Sequence, residues 1–197
     1  MQPAGATAFL STKSWKMKNR LILLALIVMI AGCAGWKPVD GGIRSETYRV
    51  EVPSGWMKFD AGAYVMISRD GPYLQYVLFQ ERPLERPFLN ARKRLTADML
   101  PLEAAQIIID DLSSDPMVAN FTVIENAPAV IDDHDGFRLL FRYSDPKGLT
   151  LKTAYYGFIQ GQNYYSLRFT APQRYYFDND IDVFEAMLSK FHLVAAR

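Results

Sequence analysis

Four runs of strand-forming residues divided by turn signals occupy Phe121 to Ala171, and they leave the chain little choice of fold. Phe121 to Val130 leads to Asp132-Asp133-His134-Asp135-Gly136, and Phe137 to Ser144 leads to Asp145-Pro146-Lys147-Gly148. Leu149 to Gln160 then leads to Gly161-Gln162, and Tyr164 to Ala171 closes the series. The runs are rich in β-branched and aromatic residues, which fit a pleated surface. Asp-Pro-x-Gly suits a type I turn, because proline pre-sets φ at the second residue and glycine accepts φ > 0. The spacing therefore predicts an antiparallel meander. With Gly161-Gln162 as a two-residue loop, Phe158 faces Tyr165, Tyr156 faces Leu167 and Ala154 faces Phe169, which makes one face apolar. The opposite face carries Phe137, Leu139, Phe141 and Tyr143 from one strand and Leu151, Tyr155 and Ile159 from the next. A sheet that is apolar on both sides needs cover on both, and helices are the usual cover.

Two amphipathic stretches answer that need. Leu102, Ala105, Ile109 and Leu112 recur at helical spacing with Glu103, Gln106 and Asp110 opposite, after a first-turn proline at Pro101 and before the stop Asp115-Pro116. Ile181, Phe184, Leu188 and Phe191 repeat the spacing, with Asp178, Asn179 and Asp180 as capping residues and Lys190 and His192 placed to complement the dipole. Upstream, Tyr48, Val50 and Val52 alternate as a half-buried strand that Pro53 and Gly55 end before Trp56. Tyr64 to Ser68 and Tyr73 to Gln80 flank Arg69-Asp70-Gly71-Pro72 as a hairpin. Arg82 to Arg94, with two prolines among charges, reads as a mobile crossing loop. The expected fold is α+β: an antiparallel β-sheet packed by helices on both faces, an α/β/α sandwich over residues 47–193.

The N-terminus has a different logic. Lys18-Asn19-Arg20, eleven apolar residues from Leu21 to Ala31, and Gly32-Cys33 follow the order of a secretory signal. The run is too short to span a bilayer, which takes about 17–25 apolar residues. Ile30-Ala31-Gly32-Cys33 resembles the lipobox of bacterial lipoproteins. That resemblance implies cleavage before Cys33, lipidation of its sulfur and acylation of the new amino terminus; Ala34 implies sorting to the outer membrane. Cys33 is the sole cysteine, so no intrachain disulfide can form. The compact signal begins at Met17, and we expect translation to start there, with residues 1–16 an upstream extension of the signal peptide 1–32. Residues 33–46, with Gly35, Pro38, Gly41 and Gly42, read as the lipidated cysteine and a flexible tether. The remaining 165 residues suit one domain. Loss of Lys13, Lys16, Lys18 and Arg20 with the signal takes the net charge from +1 to −3, which argues against nucleic acid as a partner.

Tyr48-x-Val50-x-Val52-Pro53-x-Gly55-Trp56, the meander around Gly136, and Phe184-x-x-Met187-Leu188-x-x-Phe191 together make the domain similar to the PsbP/DcrB-like superfamily. The resemblance implies an α/β/α sandwich around an antiparallel sheet and a non-catalytic or adaptor-like role. It carries over no binding residue.

Reactive constellations are sparse. Asp132-Asp133-His134-Asp135 has ligand-type side chains but lacks the spacing of a calcium loop and has no cysteine or second histidine nearby. Turn chemistry accounts for its aspartates, since they bond their own backbone and tolerate left-handed conformations. His134 and His192 are the only histidines, and no serine sits in a Gly-x-Ser-x-Gly elbow. No glycine loop has a phosphate-cradling pattern, and nothing selects a pair of carboxylates for glycoside chemistry. The pairs Tyr155-Tyr156, Tyr164-Tyr165 and Tyr175-Tyr176 read as strand and turn residues with core-facing rings, or, where exposed, as a groove. The expectation is a non-enzyme without catalytic, cofactor or metal residues, modified at Cys33. It would act as a lipid-anchored binding or accessory module of the bacterial cell envelope, on the periplasmic face of the outer membrane. It would meet an envelope protein through the sheet end or the Arg82–Arg94 loop. The alternative is an envelope hydrolase or small-ligand binder using a cleft between helix and sheet.

Overall fold

Hairpin pairing between the last two long strands sets the geometry of the domain. In the computed structural model, which describes residues 35–194, Phe158 lies opposite Tyr165, Tyr156 opposite Leu167 and Ala154 opposite Phe169. This is the register expected from a Gly161-Gln162 loop. Strands β1 (Trp36–Pro38), β2 (Ile43–Arg44), β3 (Tyr48–Val50), β4 (Met57–Asp60), β5 (Tyr64–Ser68) and β6 (Tyr76–Pro83) come first. Helix α1 (Pro101–Ser113), strands β7 (Ala119–Ile131), β8 (His134–Ser144), β9 (Thr150–Gln160) and β10 (Asn163–Pro172), helix α2 (Tyr176–Leu188) and β11 (Phe191–Leu193) complete the order. An eight-stranded antiparallel sheet runs β1-β4-β5-β6-β10-β9-β8-β7, and a three-stranded sheet runs β11-β3-β2.

The expected α/β/α sandwich is overturned. The domain is mostly sheet, and its only two helices among the described residues have 13 residues each. A 13-residue helix is about 20 Å long and about 10 Å wide, whereas eight strands at about 4.8 Å span more than 30 Å. Two such helices cannot tile both faces as layers, and other segments supply much of the cover. Ile43, Tyr48, Val50 and Phe191 of the small sheet pack into one cluster with Phe158, Tyr165, Leu167 and Phe169. Leu84, Phe88 and Leu95, from the segment between β6 and α1, pack into the other with Phe137, Leu139 and Tyr164. All buried members of the two clusters come from residues 39–191, and Trp36–Arg197 is a compact unit in itself. Among the described residues, both apolar clusters thus lie within 36–194.

Several local expectations change with the fold. The tether read over 33–46 gives way at Trp36: β1 pairs with β4, and Val39 and Ile43 are buried. Strands of two or three residues are too short to leave a periodic signal. Past Pro83 the Arg82–Arg94 segment is irregular, as a crossing loop is, and it is packed against the domain. Arg82 extends β6 and stacks its guanidinium 3.8 Å from the Phe88 ring centroid. Asp111 of α1 accepts the backbone N–H groups of Asn90 and Ala91, at 2.7 and 3.0 Å. Helix α1 buries Ala104, Ala105, Ile107 and Ile108 rather than a face led by Leu102, because it carries more apolar residues than one stripe needs and the alanines allow the closest approach to the sheet. Helix α2 ends at Leu188, and Phe191 belongs to β11 opposite Val50. Its N-cap is Tyr175, while Asp180 is buried inside the helix and accepts from Arg69 at 2.8 Å.

Candidate functional site

Alternation along the strands puts Phe137, Leu139, Phe141 and Tyr143 of β8, Leu151, Thr153 and Tyr155 of β9, and Tyr164, Ser166, Arg168 and Thr170 of β10 on the side that faces α1. Helix α1 contacts β7, β8 and β9 and covers only part of this side. Recesses remain at both of its ends.

At the N-terminal end, Leu100 opens α1 by donating its N–H to Glu103 Oε2 at 3.0 Å, with Pro101 in the first turn. A cavity of about 410 Å³ lies there, between Met99 and Ala104 on the helix side and Asp133, His134, Gly136 and Gly157 on the sheet. It adjoins a shallow apolar groove of about 510 Å³, which shares Leu100, Pro101, Asp135 and Gly136 and extends over Leu102, Pro128, Ala129 and Val130. Leu100 and Val130 are 65% and 68% exposed. The groove runs along β7, the sheet edge, which has two register shifts upstream, between Ala119 and Thr122 and between Val123 and Glu125, and Pro128 within the groove. Such features blunt an edge against strand addition, so side chains rather than the β7 backbone would do the binding here.

At the C-terminal end, Leu112, Met117, Val118 and Phe121 form one wall of a cavity of about 270 Å³, and Tyr76, Tyr143, Thr153, Arg168 and Thr170 form its polar floor. Burial, reinforced by neighbouring Tyr76, pushes the Tyr143 hydroxyl well above its ordinary value against the pull of Arg168. Tyr143 therefore keeps its proton and stays a donor. Thr153 and Thr170 hydrogen-bond each other at 2.9 Å.

The acidic turn divides into different roles. Asp132 and Asp133 have φ of 48° and 61°, the left-handed pair of a two-residue hairpin turn, and His134 to Gly136 already belong to β8. The Asp132 carboxylate accepts from His192 Nδ1 at 2.8 Å and from the Leu193 N–H at 2.7 Å, tying this hairpin to β11. Burial works to raise its pKa, but these two donors hold it below the usual carboxylate value. Asp133, His134 and Asp135 line the N-terminal cavity instead. Among the described residues no group of three or more His, Cys, Asp and Glu side chains could hold a metal ion. His134 Nδ1 meets the Asp132 carbonyl, and the described contacts of His192 likewise include no hydroxyl nucleophile.

Four of the paired tyrosines, Tyr155, Tyr156, Tyr164 and Tyr165, are buried, whereas Tyr175 is exposed. Tyr164 donates to Tyr155 Oη at 3.0 Å. Tyr165 and Asn163 donate to Glu81, as does Thr47, so this carboxylate is saturated by structural partners. Cys33 lies outside the described residues. Arg168 and Tyr76 were not singled out by the sequence, although a cation in step with Tyr164 on a covered strand face was the available signal. Among the described residues no helix is long and apolar enough to cross a membrane.

No known family's sequence profile matches the chain, and no curated protein matches it in sequence. Solved structures do match in shape. Cyanobacterial PsbP (CyanoP) from Synechocystis sp. PCC 6803 aligns with a TM-score of 0.56 at 13% identity, over 83% of this chain and 95% of that one. The Saccharomyces cerevisiae Ran-binding protein Mog1p aligns with a TM-score of 0.51 at 12% identity, over 81% and 95%. Pseudomonas aeruginosa PA94, a protein of unknown function, aligns with a TM-score of 0.50 at 10% identity, over 79% and 96%. At such identities and coverage what is shared is the path of the chain: the domain has the PsbP/Mog1-like fold.

Proposed function

We propose that the chain is a lipoprotein of the bacterial cell envelope, acylated at Cys33, that works as a non-catalytic accessory module by holding a protein partner in the groove at the N-terminal end of α1. The groove is the observation that carries the reading. Leu100, Leu102 and Val130 stand exposed around Pro101, Pro128 and Ala129, and a contiguous apolar recess of this kind is costly to leave in water. Asp133 and Asp135 lie beside it. An acidic rim around an apolar floor suits an apolar segment of an envelope protein that carries a lysine or arginine next to its anchoring side chain. A fold that also serves a Ran-binding protein is compatible with a protein-binding task. The hydrolase alternative has a cleft between helix and sheet, but neither histidine there or at β11 holds a hydroxyl nucleophile.

A photo-crosslinking residue placed at Val130 of the full chain tests this in intact cells, with Lys147 as the control position. The expected result is one reproducible adduct from Val130, absent from Lys147, lost on Leu102→Glu and weakened on Asp135→Lys. No adduct from Val130, or one indifferent to both substitutions, would remove the groove from the proposal. Turnover of a substrate by the purified domain, abolished by a single Asp, Glu or His substitution that leaves it folded, would overturn the non-catalytic reading.

A further inference from the structure

Arg168 is the odd residue on the α1 side of the sheet. It alternates on β10 with Tyr164, Ser166 and Thr170, all of them buried, and its own side chain is partly buried. Its Nε is out of reach of solvent and has no hydrogen-bond partner among the described residues. Among the described residues no carboxylate stands within ion-pair distance of its guanidinium. A guanidinium N–H cut off from solvent without an acceptor is unfavourable in a folded protein, and an arginine fork is shaped to take two oxygens of one planar anion.

The nearby acids do not pair with it: each turns its Oδ1 into its own turn, and neither comes within ion-pair distance of the guanidinium. Asp145 Oδ1 accepts the N–H groups of Lys147 and Leu149 at 2.9 and 2.8 Å, and Asp115 Oδ1 accepts that of Met117 at 2.8 Å. Both nevertheless line the cavity that Arg168 floors. One cation facing two rim carboxylates favours a singly charged guest over a dianion. Around the cation, Tyr143 and Tyr76 offer hydroxyl groups, while Leu112, Phe121 and Phe141 supply an apolar wall. A cavity of about 270 Å³ is below the usual size for a drug-like guest and suits a molecule of a dozen or so heavy atoms.

We propose that this cavity is a binding site for a small monocarboxylate with an apolar body, whose carboxylate pairs with Arg168 and whose body lies against Leu112, Phe121 and Phe141. The site is at the opposite end of α1 from the groove, and it stands or falls independently of the protein-partner reading.

Phenylacetate is the probe, with phenylacetamide as its neutral isostere and phenyl phosphate as the dianion. Residues 36–197, a compact unit that contains both apolar clusters of the described residues, are titrated with each by calorimetry and by amide NMR. Phenylacetate should bind saturably at one site with a Kd of about 1 mM or tighter, at least about tenfold better than either of the others. The shifted amides should include those of Thr153, Arg168 and Thr170. Arg168→Met should lose at least about tenfold in affinity while its urea midpoint does not fall, because the substitution removes an unpaired charge and keeps apolar bulk. If that variant does not fold, the wild-type selectivity and the location of the shifts decide. Absence of saturable binding, equal affinity for phenylacetamide, tighter binding of phenyl phosphate, shifts confined to other surfaces, or full affinity in folded Arg168→Met would each overturn the proposal.

Discussion

Gly157 has no positive φ to require glycine; space requires it. A Cβ at that position would collide with the Tyr164 hydroxyl and would lie 2.7 Å from the Phe137 ring. Those rings stack with each other, Phe137 also stacks with Tyr155, and Phe88 meets the edge of Tyr164. Overpacking a core of fixed rings typically costs about 1–3 kcal/mol. Gly157→Ala should therefore lower the unfolding free energy in urea by about that amount, and Tyr164→Phe in the same chain should recover part of it by removing the hydroxyl. A loss below about 0.5 kcal/mol would mean that the ring stack yields freely. At this scale the sequence was readable where a residue's partner is another strand position. It was opaque where the environment depends on what remains uncovered. Phe158 opposite Tyr165 follows from one loop length, whereas the unpaired state of Arg168 depends on how far a 13-residue helix reaches and on which way Asp115 and Asp145 turn.

At the scale of elements, the β7–β8 turn and β11 show why a locally sufficient reading can be incomplete. Asp132 needs no ligand to explain it as a turn residue, yet its carboxylate holds a strand 60 residues away through His192 and Leu193. Only the assembled fold brings β11 there, because a three-residue strand has no period to read. The bond has a pH signature. Two donors outweigh burial and keep the Asp132 carboxyl below its unfolded value. Its contribution is thus fully present above that value, near pH 4, and is lost as pH falls through the lower folded value. Asparagine tolerates the left-handed turn as aspartate does, so Asp132→Asn isolates the charge. The variant should be about 1 kcal/mol less stable than wild type at pH 6, with the gap closing between about pH 4 and pH 2. A gap that is constant over this range would assign the role of Asp132 to turn geometry alone.

For the molecule as a whole, the proposed anchor and the proposed groove make a joint prediction. Only Ala34 and Gly35 separate Cys33 from the first strand in the sequence. An acylated Cys33 would leave little chain between lipid and fold, and a partner in the same membrane would be met at raised effective concentration. Three acyl chains exceed the two signals that stable anchoring takes. A tagged fatty acid fed to the native host should label the wild-type chain and leave Cys33→Ser unlabelled, and density-gradient separation should place the labelled chain with the outer membrane. The domain itself should be indifferent to the change, since both apolar clusters of the described residues lie past Trp36; its urea midpoint should match with and without the substitution. The Val130 crosslink should nevertheless drop severalfold in Cys33→Ser at equal expression, because the groove is intact but no longer held at the membrane. Equal fatty-acid labelling of both chains would remove the anchor from the proposal. Labelling confined to wild type together with an unchanged crosslink would retain the anchor but place the partner in solution.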